Sequence, residues 1–222
     1  MCNRYGYLAP VTRLIDTFSQ IRLPLRFEDG AVPNLQPQDH IRPTDSAPIV
    51  RPLDPADPHA GVELHRARWW LVPFFHKGPL KTWKPMCTNA RVETVAATAA
   101  FREAFRRRRC LVPASWFYEW TGPKGDKTMW RFTRTGADLF CFAGLWDRAH
   151  TQDGVIESFT ILTCAAGPDS APYHTRQPVI LEPEAWTRWL DLAADPAPLL
   201  RPGPPGAIKV ELAPQPVGAQ AD

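Results

Sequence analysis

The sequence predicts an α+β fold: a single compact domain built mainly on antiparallel β-sheet, with a few short helices. Three observations carry that prediction. The 25 prolines among 222 residues argue against a helix bundle, because each removes a backbone donor and blocks a helix interior. Alternating or continuous runs of β-branched and aromatic residues recur along the chain, whereas helical periodicity is confined to three places. No βα rhythm repeats, so the strands do not fit a parallel, doubly wound sheet.

Each element has its own justification. Over 11–21, Leu14, Ile15, Phe18 and Ile21 share one helical face and Pro10 precedes it as a starter. Strands are predicted over 47–51 and 62–72. A second helix is predicted over 94–109, where alanines dominate, Phe101 and Phe105 sit four apart, and Glu93 and Thr94 serve as caps. Strands follow over 110–114, 129–135 and 138–146, the last two joined as a hairpin through Thr135-Gly136-Ala137-Asp138. Further strands are predicted over 156–165 and 178–181. Over 183–192 a proline and an acid open a helix whose apolar stripe is Trp186, Trp189 and Leu190. The domain is expected to span 2–192. Residues 193–222 read as a Pro/Ala-rich segment with one last strand over 207–212 and a frayed tail.

Composition excludes several classes. Hydrophobic residues at 44% and charged residues at 22% rule out wholesale disorder. No apolar run approaches the roughly 20 residues needed to span a bilayer, and the N-terminal stretch lacks a signal-peptide core. Five cysteines without a CxxC pair fit neither a disulfide framework nor a zinc knuckle, and favour a reducing, cytoplasmic setting. No two of the six histidines pair at ligand spacing, so no metal and no cofactor is expected, and the chain is expected to be a monomer. A net charge of +3 means that any nucleic-acid binding must come from a local patch. The basic run Arg106–Arg109 reads either as such a patch or as a solvated helix C-terminus.

Cys2 follows the initiator methionine, and a small residue there permits removal of Met1. The product would carry an α-amine and a thiol on one two-carbon unit, with ordinary pKa values of about 8 and about 8.5. Such a 1,2-aminothiol condenses with an aldehyde: the amine forms an imine and the thiol closes onto it as a thiazolidine. The other four cysteines read as small core residues. Three polar stretches stand out besides: T-N-A-R-V-E-T (88–94), L-V-P-A-S-W-F-Y-E-W (111–120) and Y-H-T-R-Q-P-V-I-L (173–181). Glu119, flanked by Phe117, Tyr118 and Trp120, is either a desolvated acid/base or one half of a structural ion pair. His174 reads as a satisfied histidine or as a site residue, and Asn89 and Arg91 as cap and turn chemistry or as site residues.

Seven segments, M-C-N-R-Y, R-P-T-D-S-A-P-I-V, R-W-W-L-V-P, T-N-A-R-V-E-T, C-L-V-P-A-S-W-F-Y-E-W, F-A-G-L-W and H-T-R-Q-P-V-I-L, occur in the order and spacing of the SRAP family, and from Cys2 to Trp189 the chain resembles its members. These are the SOS-response-associated peptidase proteins, which shield abasic sites in single-stranded DNA. The resemblance implies a compact α+β domain on antiparallel sheet. It implies that Cys2, freed of Met1, crosslinks to the open-chain aldehyde of an abasic deoxyribose. Glu119 would assist ring opening and proton transfer around the imine, and His174 would be a second acid/base partner. Asn89 and Arg91 would line the DNA path, with Arg91 gripping a flanking phosphate, and Arg4 would be a further DNA contact.

Two departures from the family pattern stand out. His40, in H-I-R-P-T, occupies the place of the family asparagine that partners the N-terminal cysteine; Asn34, in N-L-Q-P, is a poorer match in register. A histidine could do the same positioning with a different pH response. Trp70 stands where the family has a glycine, and Phe74 or Phe75 where it has a following tryptophan. Trp69, Trp70, Phe74 and Phe75 are expected to stack on bases, and Trp116, Trp120, Trp130 and Trp146 to fill the core. A cysteine-dependent peptidase with His174 or Glu119 as base, and a non-catalytic DNA-binding module, are the alternative readings.

Overall fold

The computed structural model describes residues 2–27 and 30–214. The chain opens with β1 (Tyr5–Tyr7), α1 (Val11–Gln20), β2 (Leu25–Phe27), β3 (Gln38–Ile41), β4 (Ser46–Asp54) and β5 (Asp57–Trp69). It continues through β6 (Asn89–Arg91), α2 (Arg102–Arg107), β7 (Arg109–Ala114), β8 (Trp116–Thr121) and β9 (Thr128–Arg134). Two long strands follow, β10 (Phe140–Thr151) and β11 (Gly154–Ala165), then β12 (Arg176–Pro178), β13 (Ile180–Leu181), α3 (Pro183–Leu190) and β14 (Ile208–Leu212). The expected frayed tail falls on 215–222, outside the described residues.

Two sheets share one core. The smaller runs β14-β9-β8-β1-β3, all antiparallel. The larger runs β12-β11-β10-β7-β4-β5-β2, with β13 on β10 and β6 on β11. Its strand β5 also pairs in parallel with β11, Ser158 opposite Arg68 and Phe159 opposite Trp69, which closes five strands into a ring and leaves those strands no free edge there. The pairings β2–β5, β5–β11 and β6–β11 are parallel and the rest antiparallel. Tyr5 joins the two sheets, its ring edge-on to Trp69 (centroids 5.1 Å apart) and to Phe142 (5.8 Å).

The helices seal this core. Leu14 and Phe18 of α1 are buried, and Phe18 lies 4.8 Å from the Trp186 ring of α3. Trp186 and Trp189 are fully buried with their indole N–H groups satisfied, Trp186 donating to the Leu181 carbonyl (3.0 Å) and Trp189 to that of Cys110 (2.8 Å). A buried aromatic of this kind removes roughly 150–250 Å² from water. All five cysteines are buried and free, the four beyond Cys2 as the small core residues the sequence suggests.

Three expectations are corrected. The helix predicted over 94–109 is regular only over Arg102–Arg107. Before it lie separate turns, Thr98 donating from both its amide and its hydroxyl to the Thr94 carbonyl (2.9 Å each). β-Branched Val92, Thr94, Val95 and Thr98 crowd a helical turn, and the Thr98 hydroxyl competes for a ladder carbonyl. Arg109 begins β7 instead of ending the helix; it is 4% exposed, with its guanidinium on the carbonyls of Phe105, Trp189, Asp191 and Ala194. The turn at 135–138 is no hairpin: β9 belongs to the small sheet and β10 to the large, so the chain crosses between sheets there. Trp116, Trp120, Trp130 and Trp146 are only half-buried; Trp130 and Trp146 pack against the core from its margin, and three of the four sit under guanidinium groups: Arg131 over Trp116, Arg4 over Trp120 and Arg51 over Trp146.

Gly6 decides where the N-terminus runs. In its place a Cβ would lie 2.3 Å from Nε1 of Trp116 and 2.8 Å from the Asp39 carbonyl oxygen, so only a bare backbone fits beneath that indole. Gly6→Ala is expected to cost about 1–3 kcal/mol of stability, read as a lower midpoint in denaturant unfolding.

Candidate active site

β1 is three residues long and paired on both sides, Tyr5 opposite Ile41 of β3 and Phe117 of β8. The Tyr118 amide donates to the Arg4 carbonyl (3.0 Å), which continues the antiparallel register toward the N-terminus and lays Cys2 alongside Glu119 and Trp120. Cys2 is 1% exposed. Its thiol points back to the Arg4 carbonyl (3.5 Å), and its own carbonyl accepts a 2.7 Å hydrogen bond from Nδ2 of Asn89. Asn89 reaches it because β6 is pinned beside β11, Asn89 opposite Ile161 and Arg91 opposite Thr163. The other amide atom of Asn89, Oδ1, is buried with no donor among the described residues.

Glu119 is 4% exposed on β8, opposite Trp130. Burial pushes its carboxyl up to about 7, so it exchanges a proton near neutrality. Burial likewise pushes the Cys2 thiol well above its ordinary value, and the negative charge of Glu119 adds to this. In the full chain, Met1 included, the thiol is therefore held protonated. The turn that carries His174 comes to the same place through its neighbour: the Tyr173 ring packs 4.8 Å from Trp130. Nδ1 of His174 lies 2.9 Å from the Arg176 amide nitrogen and 3.1 Å from the Arg176 carbonyl oxygen, so the Arg176 backbone fixes the ring whichever nitrogen carries the proton. Burial lowers its pKa.

Arg176 holds that turn; the sequence marks it as the arginine of Y-H-T-R but gives it no partner. It makes a two-pronged pair with Glu93 (3.0 and 2.9 Å) and donates to the Thr163 carbonyl (2.6 Å), tying 173–176 to the segment after β6. The pair also keeps the Glu93 carboxyl below its ordinary value. The signal was present as an arginine and a glutamate in two of the motifs, but only the fold makes them partners.

The remaining predicted residues divide. Arg4 is half-buried, 5.0 Å above Trp120, with no carboxylate within 4 Å among the described residues. Arg91 is exposed, and Phe75 is 44% exposed, edge-on to Phe74 and Trp83. His40, expected to hold Cys2, makes no hydrogen bond to it. Its ring lies 5.2 Å from Tyr118, and burial and Arg4 lower its pKa; the side chain that holds Cys2 is Asn89. Trp69, expected to stack on bases, is 0% exposed, with its N–H on the Thr88 carbonyl (2.8 Å) and its ring against Tyr5 and Phe159. The tight turn of the motif sends one tryptophan inward and the next, Trp70, outward.

A sequence profile described as SOS response associated peptidase (SRAP) matches residues 1–219. The chain belongs to the SRAP family. Among SRAP relatives, the Bacillus subtilis protein named abasic site processing protein YobE is 29% identical over 195 residues, 86% of this chain and 82% of its own. A Bacteroides thetaiotaomicron crystal structure shares the fold with a TM-score of 0.79 at 21% identity, covering 95% of this chain and 91% of that one. A Bordetella bronchiseptica structure superposes with a TM-score of 0.77 at 27% identity over 96% of this chain and 100% of that one. Among the described residues, no cluster of three metal-ligating side chains occurs and no helix is long and apolar enough to cross a membrane.

The raised carboxyl makes a stability prediction. Folded Glu119 binds its proton more tightly than the unfolded chain, so folding holds an extra proton between the ordinary value of 4.5 and about 7, and its contribution to stability falls as pH rises across that window. Glu119→Gln is expected to abolish this slope and to be more stable than the parent at pH 8 by about 1–3 kcal/mol. Denaturant melts at pH 5 and pH 8 check it; a parent slope unchanged by the substitution would exclude a buried, raised carboxyl.

Proposed function

We propose that this SRAP protein acts on abasic sites in single-stranded DNA and that, after loss of Met1, Cys2 captures the damaged sugar as a covalent thiazolidine. The observation that carries the reading is the anchoring of Cys2 by Asn89 (2.7 Å) beside a carboxyl that titrates at about 7. An abasic deoxyribose is mostly a closed hemiacetal, so its aldehyde must be released by proton transfer before an amine can attack. Glu119 has the pKa for that exchange, and His174 would be the second proton-transfer partner.

Removal of Met1 turns the Met1–Cys2 amide nitrogen into the α-amine. That amine adds to the C1′ aldehyde, one water leaves to give the imine, and the thiol adds across the C=N bond, its proton passing to nitrogen. The net change is loss of one water. The buried acceptor Oδ1 of Asn89 would hold the amine or the intermediate hydroxyl in place. Arg4 and Arg91, both without a carboxylate partner among the described residues, would meet the phosphates, and Phe75 would stack on a base.

This route needs a thiol only after the imine has formed, which suits a sulfur held protonated. A peptidase needs a thiolate at the outset, and here burial and Glu119 both oppose one. The amine-first reading is therefore the better supported of the two.

Intact-mass spectrometry of the protein with an abasic oligonucleotide tests it. The expected adduct equals the chain without Met1 plus the oligonucleotide minus one water, and survives SDS. Cys2→Ala should give no stable adduct. Cys2→Ser keeps the amine, so only a borohydride-trapped adduct should form. Glu119→Gln should slow capture by about 10²–10⁴-fold. Retention of Met1 by the parent protein, or no adduct from it, would end the proposal.

A further inference from the structure

A cavity of about 470 Å³ is lined among others by Thr44, Arg68, Trp70, Lys81, Trp83 and Lys84. The volume is in the range of small-ligand sites, about 300–1,000 Å³. Its wall is continuous with the Cys2 site. The Thr44 amide donates to the Trp69 carbonyl (2.7 Å), the Trp69 indole donates to the Thr88 carbonyl, and the next residue is Asn89, which holds Cys2.

The lining is aromatic and cationic, and it is built rigidly. Both indole N–H groups are occupied by backbone, Trp70 on the Pro85 carbonyl (2.8 Å) and Trp83 on that of Leu71 (3.0 Å). Fixed in this way, the rings have only their faces to offer. Phe75 and His76 extend the array on the other side of Trp83, at 6.1 and 5.3 Å. Arg68, Lys81 and Lys84 have no carboxylate within 4 Å among the described residues; the nearby acid, Asp153, is bonded to the Leu80 amide (2.6 Å). Arg68 is half-buried, and burial works against its charge, an opposition that an anion would relieve. Backbone strain collects here too: Thr44 (φ +83°) is in the left-handed region that favours glycine and Trp70 (φ +156°) is at its edge, as happens at ligand sites.

We infer that this cavity is a subsite for single-stranded DNA flanking the reacting sugar: a base stacks on the faces of Trp70 and Trp83, and the adjoining phosphates are met by Arg68, Lys81 and Lys84. It rests on the reading of the Cys2 site given above. It adds a binding surface outside the reacting centre, whose occupancy depends on oligonucleotide length.

The test compares an unmodified 15-nucleotide single strand, read by fluorescence anisotropy, with adduct formation on an abasic 15-mer and on an abasic trinucleotide too short to reach the cavity. Lys81→Glu/Lys84→Glu is expected to weaken 15-mer binding at least about 10-fold and to reduce the salt slope of log K by about 1.4, with the trinucleotide adduct rate unchanged. Trp83→Ala should weaken the 15-mer about 5-fold or more, and Trp83→Phe should restore most of it. Unchanged 15-mer binding in the double variant would overturn the subsite. Equal loss on the trinucleotide would overturn it as well, because the effect would then lie in the shared wall. Failure of the parent protein to form any adduct would sink the Cys2 mechanism instead, and the anisotropy series would still decide the subsite.

Discussion

The whole arrangement depends on how a three-residue strand is held. β1 has no length of its own to specify its place; it is fixed by pairing with β3 on one side and β8 on the other, by Tyr5 wedged between Trp69 and Phe142, and by the bare backbone of Gly6 under Trp116. An N-terminus usually frays. Here the residues from Cys2 onward are drawn in between β8 and β3, so they become part of the core and the Cys2 thiol is removed from water. A shift of β1 by one residue would turn Cys2 to the other face of the sheet.

That placement sets the electrostatics. A carboxyl and a thiol share a dry site, where burial disfavours the charged form of each and the Glu119 charge further opposes a thiolate. The result is a carboxyl poised near neutrality and a sulfur kept as thiol, a combination suited to chemistry in which protons move first and sulfur acts last. Asn89 and Arg176 are the struts. One holds Cys2 by its carbonyl, and the other ties the His174 turn to the segment after β6 through Glu93.

What the sequence showed and what it hid follow from range. Leu14 and Phe18, or Trp186 and Trp189, reveal their helices because their partners in the pattern lie within two turns. β1 and β6 do not, since three residues carry no periodicity and their pairings are with strands far along the chain. Trp69 departs from expectation for a related reason: composition tells nothing about which indole is covered. Trp69 lies at the seam where β5 meets β11 and is sealed there, while Trp116, Trp120 and Trp146 lie on sheet faces shared with arginines. The residues of the candidate site were legible as a motif set, but the hydrogen bond from Asn89 to Cys2 was not, because it depends on β6 being pinned beside β11, far along the chain from both.

The same distinction governs the charges. A net charge of +3 says little, because many of the cations are already spent. Arg109 holds four carbonyls inside the protein, Arg108 pairs with Asp147 (3.1 Å), and Glu103 draws on both Arg106 (3.5 Å) and Arg107 (3.7 Å). In the arginine run that looks most like a nucleic-acid footprint in the sequence, Arg108 and Arg109 are thus structural, whereas the side chains of Arg106 and Arg107 stay 66% exposed and share one carboxylate. Arg4, Arg68, Lys81, Lys84 and Arg91 are scattered in sequence, have no carboxylate within 4 Å among the described residues, and belong to the segments around Cys2 and around the cavity lined by Trp70 and Trp83. Affinity for a polyanion follows the charges that release counterions, and on that criterion an isolated cation weighs more than one already bonded inside the protein.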